Sequence, residues 1–117
     1  MRRKITISIA LIIVIILWLN IAPPRAWLNL IHNVEPTAAV GAELVQKHDC
    51  QNCHRIGGEG ALVGPKLDSI LTYKSADEIE RWLRNPRAIN PSTPMPNFHF
   101  SDSEIAALLA YLKTLNP

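Results

Sequence analysis

The sequence predicts an all-α chain, and three observations carry that expectation. An uncharged, almost wholly apolar run of 18 residues fills positions 5–22. Residues 38–48 form a plausible helix. Ser75–Glu78 and Ser101–Glu104 are Ser-x-x-Glu capping boxes, which open helices by reciprocal bonding of side chain and backbone.

The apolar run comes first. At about 1.5 Å rise per residue it makes roughly 27 Å of helix, close to the thickness of a bilayer's hydrocarbon core. Arg2, Arg3 and Lys4 precede it, and such cations stay on the cytoplasmic side. The amino terminus is therefore expected inside and everything after Asn20 outside. A cleaved signal peptide has the same polarity. The run is longer than a typical signal core, however, and its nearest cleavage-like tripeptide, Asn20-Ile21-Ala22, has a poor first residue. Trp18 and Trp27 bracket its outer end, where aromatic rings favour the interface. The expectation is an uncleaved single-pass anchor, residues 1–22, in the cell (inner) membrane. Under either reading the rest lies on the periplasmic or extracytoplasmic side.

Pro23-Pro24 ends the span and begins a linker, residues 23–36. Trp27, Leu28, Leu30, Ile31 and Val34 recur near helical spacing, which suits a short helix on the membrane, a docking surface for a neighbouring subunit, or a stiff stalk. His32 reads as an ordinary interfacial residue.

The remaining domain, residues 37–117, is small enough that a cofactor would help its core. Residues 1–36 carry four basic side chains and one acidic, a balance of +3, whereas residues 37–117 carry eight basic and nine acidic, a balance of −1. The basic pI thus belongs to the amino-terminal flank. Without a basic stripe in the domain, a nucleic-acid partner is excluded.

The helix over 38–48 runs into Cys50-Gln51-Asn52-Cys53-His54, which holds the chain's two cysteines. C-x-x-C-H reads as c-type haem attachment. Two thiols on one turn reach the two vinyl groups of a porphyrin edge, and the next residue aims its imidazole at the iron. A zinc site would need more ligands, and a thioredoxin-type motif would sit beside a βαβ pattern. A plain disulfide leaves His54 unexplained. Cys50 and Cys53 are the expected covalent attachments of one haem c, and His54 is the expected proximal ligand.

Gly57, Gly58, Gly60 and Gly64 follow in a loop that lacks the lysine and hydroxyl of a phosphate cradle. They read as letting the backbone pass close to the haem edge. The helix opened by Ser75 should end at Asn85-Pro86. Trp82, Arg84 and Arg87 read as a packed indole with two solvated arginines.

The second axial ligand decides what the haem can do. Met95, apart from the initiator the one methionine, sits in Thr93-Pro94-Met95-Pro96, where two prolines hold the backbone extended. His48 is too near the attachment turn to reach the opposite face. His99 is the rival and would give a bis-histidine, lower-potential haem. With both axial positions filled, no site is open for oxygen or peroxide, and methionine raises the potential. The last helix places Ile105, Leu108, Leu109 and Leu112 on one face.

From Gly41 to Leu115 the chain resembles the small single-haem class I cytochromes c, including membrane-anchored ones. The matching pieces are Gly41-Ala42-Glu43-Leu44, the Cys50–His54 motif, Gly64-Pro65-Lys66-Leu67, Trp82 to Pro86, Met95-Pro96-Asn97-Phe98, and Ser101-Asp102 leading to Tyr111-Leu112. The resemblance implies the cytochrome c fold, with His54 and Met95 as axial ligands. It also implies that the Pro65 carbonyl accepts from the other ring nitrogen of His54, and that first and last helices cross closely at Gly41 and Tyr111. The tyrosine that some relatives place near the methionine sulfur has no counterpart.

The function these features predict is single-electron transfer by a membrane-tethered carrier. It would be a subunit or satellite of a quinol-oxidising, terminal oxidase or reductase, or photosynthetic complex, rather than an enzyme by itself. Other subunits and the membrane are the expected partners, and a soluble redox protein is compatible. Gly58-Glu59-Gly60-Ala61 is similar to the anchored cytochrome subunit of nitric oxide reductases. The competing reading is a peroxidase-like haem enzyme or gas sensor with a labile sixth ligand.

Overall fold

The computed structural model describes residues 1–116, with Arg2 described by its backbone alone. Among these residues lie six α-helices: α1 (Arg2–Ile21), α2 (Arg25–Ile31), α3 (Ala38–Lys47), α4 (Ala76–Arg84), α5 (Pro86–Ile89) and α6 (Asp102–Thr114). Short 3₁₀ turns span Cys50–Asn52 and Ile70–Thr72. The described residues form no strand, only an isolated bridge between Ile56 and Glu59.

The 20 residues of α1 give about 30 Å of helix, long and apolar enough to cross a membrane. Two of its polar side chains turn back on the helix. Ser8 Oγ donates to the Lys4 carbonyl at 3.0 Å, and Asn20 Nδ2 donates to that of Ile16 at 2.7 Å. Hydroxyls and amides satisfied this way can sit in apolar surroundings without an orphaned donor.

The domain is built on the crossing of α3 and α6, the two helices with the most extensive packing. A Cβ on Gly41 would stand 2.7 Å from the Tyr111 Cβ and closer still to the Ala107 carbonyl oxygen. Only glycine admits two backbones at that separation. Around the crossing, Leu44, Val45, Ile56, Phe100, Ile105, Ala107 and Leu108 form one buried cluster. Ile70, Ile79 and Leu112 form a second, and half-buried Leu67, Leu83 and Leu109 join the two.

Local signals set the helix ends. The Thr37 hydroxyl caps α3. Ser101 and Glu104 make the full capping box on α6, with Glu104 almost wholly buried. At α4 only half of the expected box forms. Ser75 accepts from the Glu78 amide, but the Glu78 carboxylate pairs with Lys74 instead of returning to the cap. The neighbouring ammonium offers a charged partner where the box offers only an amide. Helix α4 stops at Arg84 because Asn85 is extended before Pro86, which opens α5.

Helix α2 packs on the domain rather than standing free. Leu28 is buried, and Arg25 donates to Asp102 Oδ1 at 2.8 Å and to the Phe100 carbonyl at 3.0 Å. Asn29 and Asp102 bond reciprocally. The Asn29 amide donates to the carboxylate at 2.6 Å while its oxygen accepts from the Asp102 backbone N–H at 2.8 Å. Further along, Ser101 Oγ donates to the His32 carbonyl at 2.6 Å and Val34 N donates to Ser103 Oγ at 3.1 Å.

Candidate haem site

The attachment motif occupies a tight turn. His48 caps α3, Asp49 takes a left-handed conformation (φ 52°), and a 3₁₀ turn begins at Cys50. The His54 amide then donates to the Cys50 carbonyl at 3.0 Å. Cys50 opens this turn and Cys53 closes it, so both thiols leave the same turn. Both are unpaired, Cys50 half-buried against the main core and Cys53 exposed. Burial pushes the Cys50 thiol above its ordinary pKa. A thiol–disulfide catalyst needs the opposite shift, so the motif is poorly suited to that chemistry.

His54 is the most constrained side chain of the turn. Its Nδ1 lies 2.8 Å from the Pro65 carbonyl oxygen. A carbonyl can only accept, so Nδ1 carries a proton, and in the neutral ring that leaves Nε2 as the nitrogen with a free lone pair. The backbone beside the ring is close, for a Cβ on Gly64 would fall 2.8 Å from Nδ1. The loop is drawn onto the motif by Gly64 N donating to the Cys53 carbonyl at 2.7 Å and Ala61 N to that of Gln51 at 2.9 Å. Tyr73 OH, donating to the Lys66 carbonyl at 3.0 Å, holds the far side of Pro65.

The amides of Gly57 and Gly58 both donate to the Asp68 carboxylate, at 2.7 and 3.3 Å. These glycine N–H groups are thus used within the fold.

Met95 sits half-buried on an irregular segment between α5 and α6. Besides its prolines, side chain–backbone bonds stiffen that segment. Asn90 Oδ1 accepts from Ser92 N at 3.0 Å, Thr93 Oγ1 from Met95 N at 3.3 Å, and Asn97 Oδ1 from His99 N at 2.9 Å. Phe98 stacks on Phe100 with centroids 5.3 Å apart, and both rings meet His48 edge-on at 5.3 and 4.9 Å. The strap carrying Met95 is thereby packed against the end of α3, two residues before Cys50.

The other histidines are occupied differently. His48 lies edge-on to the stacked phenylalanines, its Nε2 buried without a partner among the described residues. Burial first, then the neighbouring Lys47, holds its pKa below the ordinary value. His99 has a left-handed backbone (φ 54°) and lines surface grooves with Pro23 and Leu28 of the stalk. Arg84 is partly solvent-exposed, as the sequence suggested, and is also paired with Glu80 and with Asp102. Its partner Glu80 lies one helical turn back, whereas Asp102 is 18 residues away and left no local signal.

Among the described residues no cluster of three His, Cys, Asp or Glu could hold a metal ion by itself. An imidazole and one thioether are the kinds of donor that suit porphyrin-bound iron, and two thiols three residues apart suit covalent attachment to the porphyrin's vinyl groups. The residues present fit a covalent haem.

Residues 38–116 match the Cytochrome c family. The chain belongs to the cytochrome c family. It is a c-type cytochrome, an electron-transport protein with covalently bound haem c, and its helical fold is the one that family implies. It is 29% identical over 93 residues to a cytochrome c oxidase subunit 2 of Alkalihalophilus pseudofirmus, covering 69% of this chain and 27% of that one. It is 28% identical over 87 residues to a nitric oxide reductase subunit of Stutzerimonas stutzeri, covering 68% and 60%. The corresponding nitric oxide reductase subunit of Halomonas halodenitrificans is 27% identical over 86 residues, covering 66% and 57%. The chain thus spans from about a quarter to three-fifths of the length of these relatives. This cytochrome carries an amino-terminal helix suited to anchoring in a membrane.

Proposed function

We propose that this cytochrome is a one-electron relay, anchored by residues 1–22 with its haem domain, residues 37–117, on the extracytoplasmic side. It serves as a subunit or satellite of a membrane oxidase or reductase complex and transforms no substrate itself. Cys50 and Cys53 hold the haem, His54 and Met95 are the axial ligands, and the Pro65 carbonyl orients His54.

The observation that carries this reading is the His54–Pro65 hydrogen bond of 2.8 Å, which leaves Nε2 as the free donor nitrogen. When bound, haem supplies an iron couple that changes by one electron with no bond made or broken in a substrate. The protein's part is to hold that couple still. Pro65 fixes the tautomer and ring plane of His54. The strap of Pro94, Pro96 and side chain–backbone turns holds the Met95 thioether, a neutral, soft donor that favours the ferrous state. A haem held by both His54 and Met95 would offer its iron to neither peroxide nor oxygen.

The near-neutral domain gives little long-range steering towards a charged partner. An anchor replaces steering by raising the effective concentration near membrane partners. Among possible complexes, a nitric oxide reductase is favoured, because the chain covers more than half of each nitric oxide reductase subunit that it resembles. A soluble redox protein as electron donor is compatible with the exposed Cys53 edge.

Met95→His in the full chain tests the relay. The potential of the haem should fall and turnover of the parent complex should slow. A lowered potential with unaltered turnover would mean that the haem is electrically idle. Gentle detergent extraction identifies the complex by its co-purifying subunits.

A further inference from the structure

Where the stalk leaves the span, the chain makes an overhang. One wall of an open groove of about 480 Å³ is the outer end of α1, with Ile16 and Leu19. The opposite side is Trp27 and Ile31 of α2 together with Phe98 and His99 of the haem domain. Among the described residues no Asp, Glu, Lys or Arg lines it. Just three residues separate α1 from α2, so the groove lies against the outer end of the helix proposed above as the anchor. Trp27, Leu30 and Ile31 are 42, 73 and 51% exposed, although the same short helix buries Leu28 in the domain.

Helix α2 is thus apolar on two sides, one packed on the cytochrome and one left bare beside the span. Its single cation does not face the bare side freely, since Arg25 is bound by Asp102 and the Phe100 carbonyl. Asp102 gathers Arg25, Arg84 and Asn29 on one carboxylate and returns its own N–H to Asn29. Each exposed ion pair by itself contributes little. Several bonds converging on one residue nonetheless fix an orientation.

From this geometry we infer that α2 is a seat. The groove is filled by outer-leaflet lipid, and the Asp102 hub holds the haem domain in one fixed orientation on the bilayer. Continuity with the apolar span selects lipid as the occupant, since the wall formed by Ile16 and Leu19 already faces the acyl chains. Apart from Asn20, His32 and His99 the lining is apolar, and a mix of aliphatic, aromatic and a few polar side chains is the composition of the membrane interface. The haem would then reach its partner by a fixed approach and not by swinging on a tether. This inference rests on the anchor reading above, deepens it, and is tested separately from it.

The test uses the haem-loaded full chain in phosphatidylcholine vesicles, spin-labelled at one introduced cysteine. Labels at Ile12→Cys and Ile31→Cys should collide more with oxygen, which concentrates in lipid, than with a water-soluble nickel complex. A label at Asp77→Cys should show the reverse. A lipid signal at 12 with a water signal at 31 would overturn the seat and leave the anchor intact, whereas a water signal at 12 would defeat the anchor itself. Exclusion of both probes at 31, with spin–spin broadening, would mean a second copy fills the groove and would also overturn the inference. In oriented bilayers the haem absorption should be dichroic, and Asp102→Ala should abolish the dichroism while leaving the isotropic spectrum unchanged. Equal dichroism in the two proteins would overturn the role of Asp102.

Discussion

The Nδ1 of His54 donates to the Pro65 carbonyl at 2.8 Å, and the backbone of Gly64 closes against the same ring. Neither group can move without turning the imidazole. Gly64→Ala would drive a methyl to within 2.8 Å of Nδ1. Overpacking of this kind typically costs about 1–3 kcal/mol. The variant should lose that much stability and shift the absorption of the haem, read by denaturant titration and visible spectroscopy.

Gly41→Ala sets two effects against each other. Alanine is the better helix former by about 1 kcal/mol. Its Cβ would meet the Ala107 carbonyl and the Tyr111 Cβ, and backbone cannot swing aside as a side chain can. The clash wins, so Gly41→Ala should destabilise the cytochrome by about 1–3 kcal/mol net. A thermal melt would check the sign.

His48 should make the protein acid-sensitive. Its folded-state pKa lies below the ordinary value, owing to burial and then to Lys47. The unfolded chain therefore takes up the proton first. Stability should fall as pH drops below about 6.5 and level off beneath the folded pKa. His48→Phe removes both the titration and a buried Nε2 that has no partner among the described residues. It should be about 1 kcal/mol more stable at pH 7 and flatten this limb of the profile, compared by melts at pH 7 and 5.

Glu104, nearly fully buried, accepts from the Ser101 N–H at 2.9 Å. Glu104→Ala orphans that donor at the start of α6 and should cost about 1–3 kcal/mol. Glu104→Gln keeps an acceptor and should cost less, as urea unfolding of the pair would show.

Local features were legible in the sequence because each signal lies within a few residues of its effect. The apolar run from Ile5, the box at Ser101 and the stop at Asn85-Pro86 are of this kind, and the all-α fold follows from them. The family pattern also anticipated the packing at Gly41 and the bond to Pro65. What stayed hidden depends on distant partners. Asp102 meets Arg25 and Asn29 across 77 and 73 residues, and nothing local marks it as the clamp on the stalk. Asp68 holds the glycine amides from ten and eleven residues away. In the sequence His48 figures only as a ligand candidate too near the attachment turn, and its contacts with Phe98 and Phe100, some fifty residues on, leave no local mark. The box at Ser75 misled for a local reason, since Lys74 captures Glu78.

The central claim, a relay whose sixth position is closed by Met95, is tested most directly by carbon monoxide binding to the reduced, haem-loaded protein. The wild type should bind little, and its oxidised form should show the weak long-wavelength band of methionine–iron ligation. Met95→Ala should bind carbon monoxide readily and lose that band. Ready binding by the wild type, with the band missing, would contradict the account and favour a haem enzyme or gas sensor.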